Sequence, residues 1–354
     1  MAAELRPELA ALKAYQAEPP LGDAALDANE NAFAPPEAFL ARAGQVLAAS
    51  RLNLYPDPTA AALRVRLAAL HQVPGSSLLF GNGSDELISL LLTAFGGGEA
   101  LCLVPRPTFS MYKLCALAQG WRVHEEDLGP DWRLTQALVD AAKRLKPRLI
   151  FLASPNSPTA NAFDPALVDA LRHLEGTTLV LDEAYADFGG RSLLAAAPAE
   201  AGLVVLRTFS KAWGLAGLRL GWLCAEPELV AGLEKVRLPY NIDALTQALA
   251  CEALDLAPQF QARVPQLLAL RRRLEAALKA LPGAELWPSD THFVLVRHPR
   301  AQALHAAWRA GGLRTRRFEG GPLQDCLRIN AGDEAQTLRL EAALKAFAQG
   351  AVTA

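Results

Sequence analysis

The 354-residue chain has no Cys-x-x-Cys pair and no histidine-rich tract. Its five cysteines, Cys102, Cys115, Cys224, Cys251 and Cys326, are odd in number and widely scattered. That spacing argues against a zinc site or a disulfide framework, and no metal is expected. Most of the five lie in apolar runs, as reduced core residues of a cytosolic protein do. No unbroken apolar stretch approaches the length needed to cross a membrane. The first residues carry Glu4, Arg6, Glu8 and Lys13 without the apolar stretch of a secretory signal, so a soluble cytoplasmic protein is expected. The formal net charge is −2, with both signs interspersed. Arg271-Arg-Arg273 and Arg316-Arg317 are too brief to form the basic stripe of a nucleic-acid binder. There is no repeat and no low-complexity tract.

What is present is apolar substance: 51% of the residues are hydrophobic, enough for one large core and a smaller one. From about Leu78 to Ala225, apolar strands alternate with helical patterns. The strands are Ala100 to Val104, Arg122 to Glu125, Leu149 to Ala153, Leu179 to Leu181, Leu203 to Arg207 and Leu220 to Cys224. Such alternation predicts an α/β fold with a mainly parallel, doubly wound sheet. The expected division is an N-terminal arm at 1–34, a large domain at 35–245 and a smaller α/β C-terminal domain at 246–354. The last has strands near His292 to Arg297, Leu313 to Arg317 and Cys326 to Ile329. Asp243 to about Leu281 reads as one long helix.

Three apolar runs end in polar groups where open α/β sheets build ligand crevices, at their carboxyl ends. One ends in Ser210-Lys211, one in Asn156, and one in Asp182-Glu-Ala-Tyr185. Each alone is uninformative, since most lysines are solvated. Together, an amine, a buried carboxylate, a phenol and an amide match the needs of pyridoxal phosphate. Lys211 would form an imine with the aldehyde and later move the substrate's α-proton. Asp182 would keep the pyridine nitrogen protonated by opposite charge, and Asn156 and Tyr185 would donate to the ring's phenolic oxygen. Phe80-Gly-Asn-Gly-Ser-Asp-Glu86 precedes an amphipathic stretch. Gly81 and Gly83 would allow close backbone approach there, and Ser84 would cap a helix whose amides meet a phosphate. Arg219 follows Lys211 across a Gly-Leu-Ala-Gly turn and could bring a bidentate guanidinium to the same anion.

Eight segments in order resemble the pyridoxal-phosphate aminotransferases of fold type I, and among them the histidinol-phosphate aminotransferases. They are Leu26-Asp-Ala-Asn-Glu-Asn31, Tyr55-Pro-Asp-Pro58, Gly83-Ser-Asp-Glu86, Pro107-Thr-Phe109, Ser154-Pro-Asn-Ser-Pro-Thr159, Asp182-Glu-Ala-Tyr185, Ser210-Lys-Ala-Trp-Gly-Leu-Ala-Gly-Leu-Arg219 and Leu327-Arg-Ile-Asn330. The resemblance spans nearly the whole chain and implies a seven-stranded sheet in the large domain. It implies Lys211, Asp182 and Tyr185 as catalytic residues. It also implies that Gly83, Ser84, Asp85, Phe109, Asn156, Ser210 and Arg219 bind the cofactor, with Phe109 where the family stacks a tyrosine. Tyr55 would reach the cofactor phosphate of a second copy, which implies a homodimer with shared active sites. Two further departures are Ala32-Phe33 after Asn31, where the family has proline and an aromatic, and Ala160 in place of a glycine.

The resemblance makes Arg328 the clamp on the substrate carboxylate, a role that a planar fork suits. In Gly312-Leu-Arg-Thr-Arg-Arg-Phe318, strand alternation puts Arg314 and Arg316 on one face, and Thr315 and Arg317 on the other. By resemblance, Arg316 contacts a substrate phosphate. Tyr15, with Asn29 and Glu30, resembles an arm that closes over the substrate's imidazole. The function implied is transamination between histidinol phosphate and 2-oxoglutarate. The alternatives are another amino-acid aminotransferase or a decarboxylase resembling the threonine-phosphate enzyme, and, more remotely, a non-enzymatic cofactor-binding regulator.

Overall fold

The computed structural model describes Arg6, Leu9, Leu12 and residues 24–349. Tyr15 and most of the expected arm lie outside the described residues. Seven strands form the large sheet: β2 (Leu78–Asn82), β3 (Leu101–Arg106), β4 (Arg122–Asp127), β5 (Leu149–Ala153), β6 (Thr178–Asp182), β7 (Leu203–Thr208) and β8 (Leu220–Cys224), in the order β2-β8-β7-β6-β5-β3-β4. Neighbours are parallel from β7 across to β4, and β8 runs antiparallel to both of its partners. β5, β6, β7 and β8 are buried along their whole length. Their leucine and valine runs are continuous rather than alternating because helices cover both faces. Those two faces are separate cores, one around Leu67, Leu181 and Phe260, the other around Leu91, Phe151 and Leu206.

The second sheet has five strands in the order β1-β11-β12-β10-β9: β1 (Ala24–Leu26), β9 (Glu285–Leu286), β10 (Phe293–Arg297), β11 (Leu313–Arg317) and β12 (Cys326–Asn330). β1 belongs to the expected arm, yet it pairs in parallel with β11. This pairing anchors the chain just before Asp27–Asn31 and delivers that segment to the space between the sheets.

The single helix expected from Asp243 to Leu281 is three: Ala244–Asp255, Ala257–Gln261 and Val264–Lys279. Pro258 and Pro265 sit at the first turns of the second and third, where a missing N–H is harmless; inside one continuous helix each would break it. Ala250, Leu254 and Phe260 pack into the large core. We therefore propose that the large unit ends near residue 262 rather than at 245. Four of the five cysteines are buried and Cys115 is half-buried. Burial pushes the Cys102 and Cys224 thiols up to about 12, so they are inert.

Candidate active site

The carboxyl ends of β3, β5, β6 and β7 open into a cavity of about 540 Å³ that the second sheet closes from the other side. It is lined by Lys211, Asp182, Tyr185, Ser84, Asp85, Ser210, Arg219, Phe109, Asn29, Arg316 and Arg328, so most of the expected residues converge. Lys211 follows β7 in a tight loop closed by Gly214 N donating to the Lys211 carbonyl (3.0 Å) and Leu215 N to the Phe209 carbonyl (3.0 Å). Gly214 has φ +64° with Asn31 packed against it, so a side chain there would be strained and crowded. Asn31 also donates to the Ala212 carbonyl (3.1 Å). The Lys211 amine donates to the Ala28 carbonyl (2.9 Å) and lies 5.8 Å from the centre of the Tyr185 ring.

Asp182 is the last residue of β6 and is buried. One carboxylate oxygen accepts from the Tyr112 hydroxyl (2.7 Å), the other from Ala184 N (2.9 Å). Burial pushes its pKa above the usual carboxylate range, while the Tyr112 and Ala184 donors pull it down. A buried carboxylate with spare lone pairs and no ion-pair partner among the described residues, only the nearby Lys211 cation, suits a protonated ring nitrogen. Tyr112 was not singled out in the sequence because it has the signature of a core residue: fully buried, stacked on Phe151 (5.2 Å, 10°) and edge-on to Phe109 (5.4 Å). Thr208 was missed too; it lines the cavity and accepts from Ser210 N (3.1 Å).

The residues expected to cradle a phosphate meet where the helix Gly83–Phe95 begins. Gly83 has φ +74°, and a Cβ there would stand 2.4 Å from an Arg219 terminal nitrogen. The positive φ strains any side chain at this position, and one would also displace the guanidinium. The expected Ser84 cap is corrected: Ser84 lies inside the first turn, and no side chain caps the helix at Asn82. The Ser84 hydroxyl is thus left for a ligand. The Asp85 carboxylate pairs with Arg219 (3.5 Å) and its other oxygen is buried without a partner. Asp85 orients the arginine, while Ser84, Ser210 and Arg219 supply donors.

Asn156 is a second correction. Its amide hydrogens go to the Pro107 carbonyl (3.0 Å) and the Thr159 hydroxyl (2.8 Å), and its oxygen accepts from Thr108 (2.7 Å). It is fully buried behind the wall, tying two strand-end turns together. Ser157, one residue on, lines the cavity instead and accepts from Arg328 (2.9 Å). Tyr185 keeps its expected place: its oxygen accepts from the Asn29 amide (2.9 Å), leaving the phenolic proton to be donated into the cavity. Tyr55 is 82% exposed, stacked on Tyr240 at 4.6 Å, and does not line this cavity.

From the second sheet, Arg328 and Arg316 face each other in the β11–β12 register. Arg328 also donates to the Asp27 carbonyl. Arg314 pairs with the Asp27 carboxylate (2.8 Å) and Arg317 with Glu319. Among the described residues no group of three or more metal-ligating side chains occurs, and no helix is long and apolar enough to cross a membrane.

A sheet with an amine, a carboxylate and an anion cradle at its strand ends, closed by arginines from a second sheet, is the architecture of an enzyme that works on amino acids through a bound aldehyde. The chain belongs to the aminotransferase class I and II family, which it matches over residues 24–344. Pyridoxal phosphate, expected from the residues, is the cofactor of that family, and the buried Asp182 and the glycine-dependent cradle fit it. The histidinol-phosphate aminotransferase of Acidovorax ebreus (strain TPSY) is 39% identical over 97% of this chain and 96% of that relative. That of Methylibium petroleiphilum is 39% identical over 96% and 94%. The fold is that of the Sinorhizobium meliloti histidinol-phosphate aminotransferase, whose crystal structure is in complex with pyridoxal-5'-phosphate. The TM-score is 0.90 and the identity 24%, with 99% of each chain covered.

Proposed function

We propose that this chain exchanges the amino group of histidinol phosphate with 2-oxoglutarate, in histidine biosynthesis, as a cytoplasmic homodimer with shared active sites. Arg316 carries the substrate reading. Its guanidinium lines the cavity with no hydrogen-bond or ion-pair partner among the described residues, whereas Arg314 and Arg317 on the same strand are each engaged by a carboxylate. A half-buried cation without an anion is costly, which fits an anion brought by the ligand. A phosphate meets that need in one half-reaction, and the distal carboxylate of the oxo acid meets it in the other.

When bound, pyridoxal phosphate supplies a ring that accepts the charge developing at the substrate α-carbon. The chain's own residues do the rest. Lys211 Nζ takes a proton from that carbon and returns it. Asp182 would hold a proton on the pyridine nitrogen, and Tyr185 would donate to the phenolic oxygen. Ser84, Ser210 and Arg219 would hold the phosphate. Arg328 would clamp the 2-oxo acid's α-carboxylate and so orient the substrate's α-carbon. In the amino-alcohol half-reaction the same guanidinium stays on Ser157.

The dimer reading is supported by Tyr55, which is exposed, stacked on Tyr240 and absent from the lining of its own cavity, and by the exposed Leu52, Leu54, Val236 and Leu238. Exposed apolar side chains of this kind fit a surface that a second copy would cover. The test of function is a panel of half-reactions: cofactor-loaded protein is mixed with single amino donors and the visible absorbance followed as it converts to the amine form. Histidinol phosphate is expected to convert it fastest. Conversion only by aromatic or other donors, or loss of carbon dioxide from threonine phosphate, would replace the substrate reading.

A further inference from the structure

We infer that His292 is a positioning residue for this reaction: its neutral imidazole holds the Asn29 backbone so that the Asn29 amide leaves the Tyr185 hydroxyl free to donate to the cofactor. The inference rests on pyridoxal phosphate at Lys211 and is independent of which amino donor is used.

His292 lies just before β10 with no exposed surface. Its ring stacks on Phe188 (4.4 Å, 27°) and lies 6.0 Å from Tyr185. Nε2 is 3.2 Å from the Asn29 carbonyl oxygen, and Nδ1 is buried without a partner. A carbonyl only accepts, so the proton must sit on Nε2 and the ring is the neutral Nε2–H tautomer. Burial, together with the nearby Lys211 and Arg328 cations, keeps it neutral by lowering its pKa to about 3. An apolar side chain in this aromatic slot would avoid the unpartnered Nδ1. What the imidazole supplies and leucine cannot is the donor to Asn29.

That donor matters because of where Asn29 stands. Its φ is +53°, a left-handed conformation that asparagine adopts more readily than most residues but that still favours a held backbone. Three side chains grip this short segment by its carbonyls: Lys211 at Ala28, His292 at Asn29 and Asn330 at Glu30 (3.4 Å). The first of these is the reacting amine, whose engagement with cofactor or substrate removes it from Ala28. The His292 bond involves no reacting atom and persists. It fixes the backbone whose side chain donates to Tyr185 at 2.9 Å, and Tyr185 can then spend its own proton on the ring oxygen.

Two variants separate this from mere packing. His292→Leu removes the donor, and His292→Gln keeps an N–H near the Nε2 position. In the cofactor-loaded protein, the pH midpoint of the visible absorbance should rise by roughly 0.5–1 unit in the leucine variant, the effect of one weakened hydrogen bond. The glutamine variant should return it toward the parent value. kcat should fall about fivefold with leucine and recover with glutamine, with KM for the oxo acid little changed. Nitrogen NMR of the apoprotein, which needs neither cofactor nor substrate, should show one neutral Nε2–H ring across pH 6–9. Equal midpoints in parent and both variants, or a ring that titrates in that range, would overturn the inference. Should the leucine variant not fold, the NMR tautomer still decides. Apoprotein that binds no pyridoxal phosphate would instead strike the cofactor reading and leave the tautomer test standing.

Discussion

Several groups at the ends of the large sheet are already satisfied, while the small sheet delivers one that waits. Asp182 has two donors on it, Asn156 uses its whole amide, and Ser210 is tied to Thr208. Arg316 on the small sheet has no partner among the described residues. A cofactor that remains bound through every cycle favours a pre-organised wall, whose cost is met once, on folding. A site that must take two different anions in turn favours a guanidinium held by the strand alone. The same contrast separates how each half should respond to change.

The largest effect is expected from Lys211→Ala. Loss of both the covalent link and the proton carrier should cut kcat by more than the ~10²–10⁴-fold of general acid–base catalysis alone. Near-parent turnover in a steady-state assay would end the assignment of this lysine. On the small sheet, Arg316→Ala should lower kcat/KM for histidinol phosphate by ~2–5 kcal/mol while an uncharged amino donor changes little. Arg317→Ala, whose partner Glu319 is exposed, should do far less on either. Equal losses on both donors would reject Arg316 as the phosphate reader.

Tyr112→Phe probes the satisfied half. It keeps the ring stacked on Phe151 but strips one donor from a buried carboxylate, which should weaken both folding and pyridoxal phosphate binding by ~1.5–3 kcal/mol. Unchanged cofactor affinity and an unchanged melting curve would show that Asp182 does not depend on it. The last test concerns acid. His71, packed on Trp222 in the large unit, has its pKa lowered to about 4, first by burial and then by Arg207; His292 is lowered to about 3. Both lie below the ordinary value near 6.5. Between about pH 6.5 and 4 the unfolded chain therefore binds protons that the fold cannot, and stability falls as pH drops, by up to ~1.4 kcal/mol per pH unit per group. Denaturant unfolding at pH 5 and 7 should show that loss, smaller in His71→Asn. No pH dependence there would mean both rings protonate in place.

Legibility in the sequence follows the same division. Lys211, Asp182 and Tyr185 could be read because a buried strand advertises itself as an apolar run and its end is a fixed place in the fold. Asn156 was misread by one residue. Which of Asn156 and Ser157 faces the cavity depends on how the turn folds back on Pro107 and Thr159, and spacing alone carries no such information. Tyr112 and His292 were invisible because a buried aromatic or imidazole among apolar residues has the signature of packing. Pro258 and Pro265 were visible, and the unbroken helix ignored them. The pairing of β1 with β11 joins residues nearly three hundred positions apart, and no local pattern announces it.

The sequence by itself determined the order of strands and helices, the strand-end motifs and, through them, the class of chemistry. Periodicity and motif spacing are local properties that any segment carries with it. Tertiary structure alone decided which serine, tyrosine and histidine stand around those motifs, and that Arg316 has no partner among the described residues where its neighbours do. Those outcomes depend on distances between segments far apart in the chain, and such distances exist only once both sheets have formed and packed.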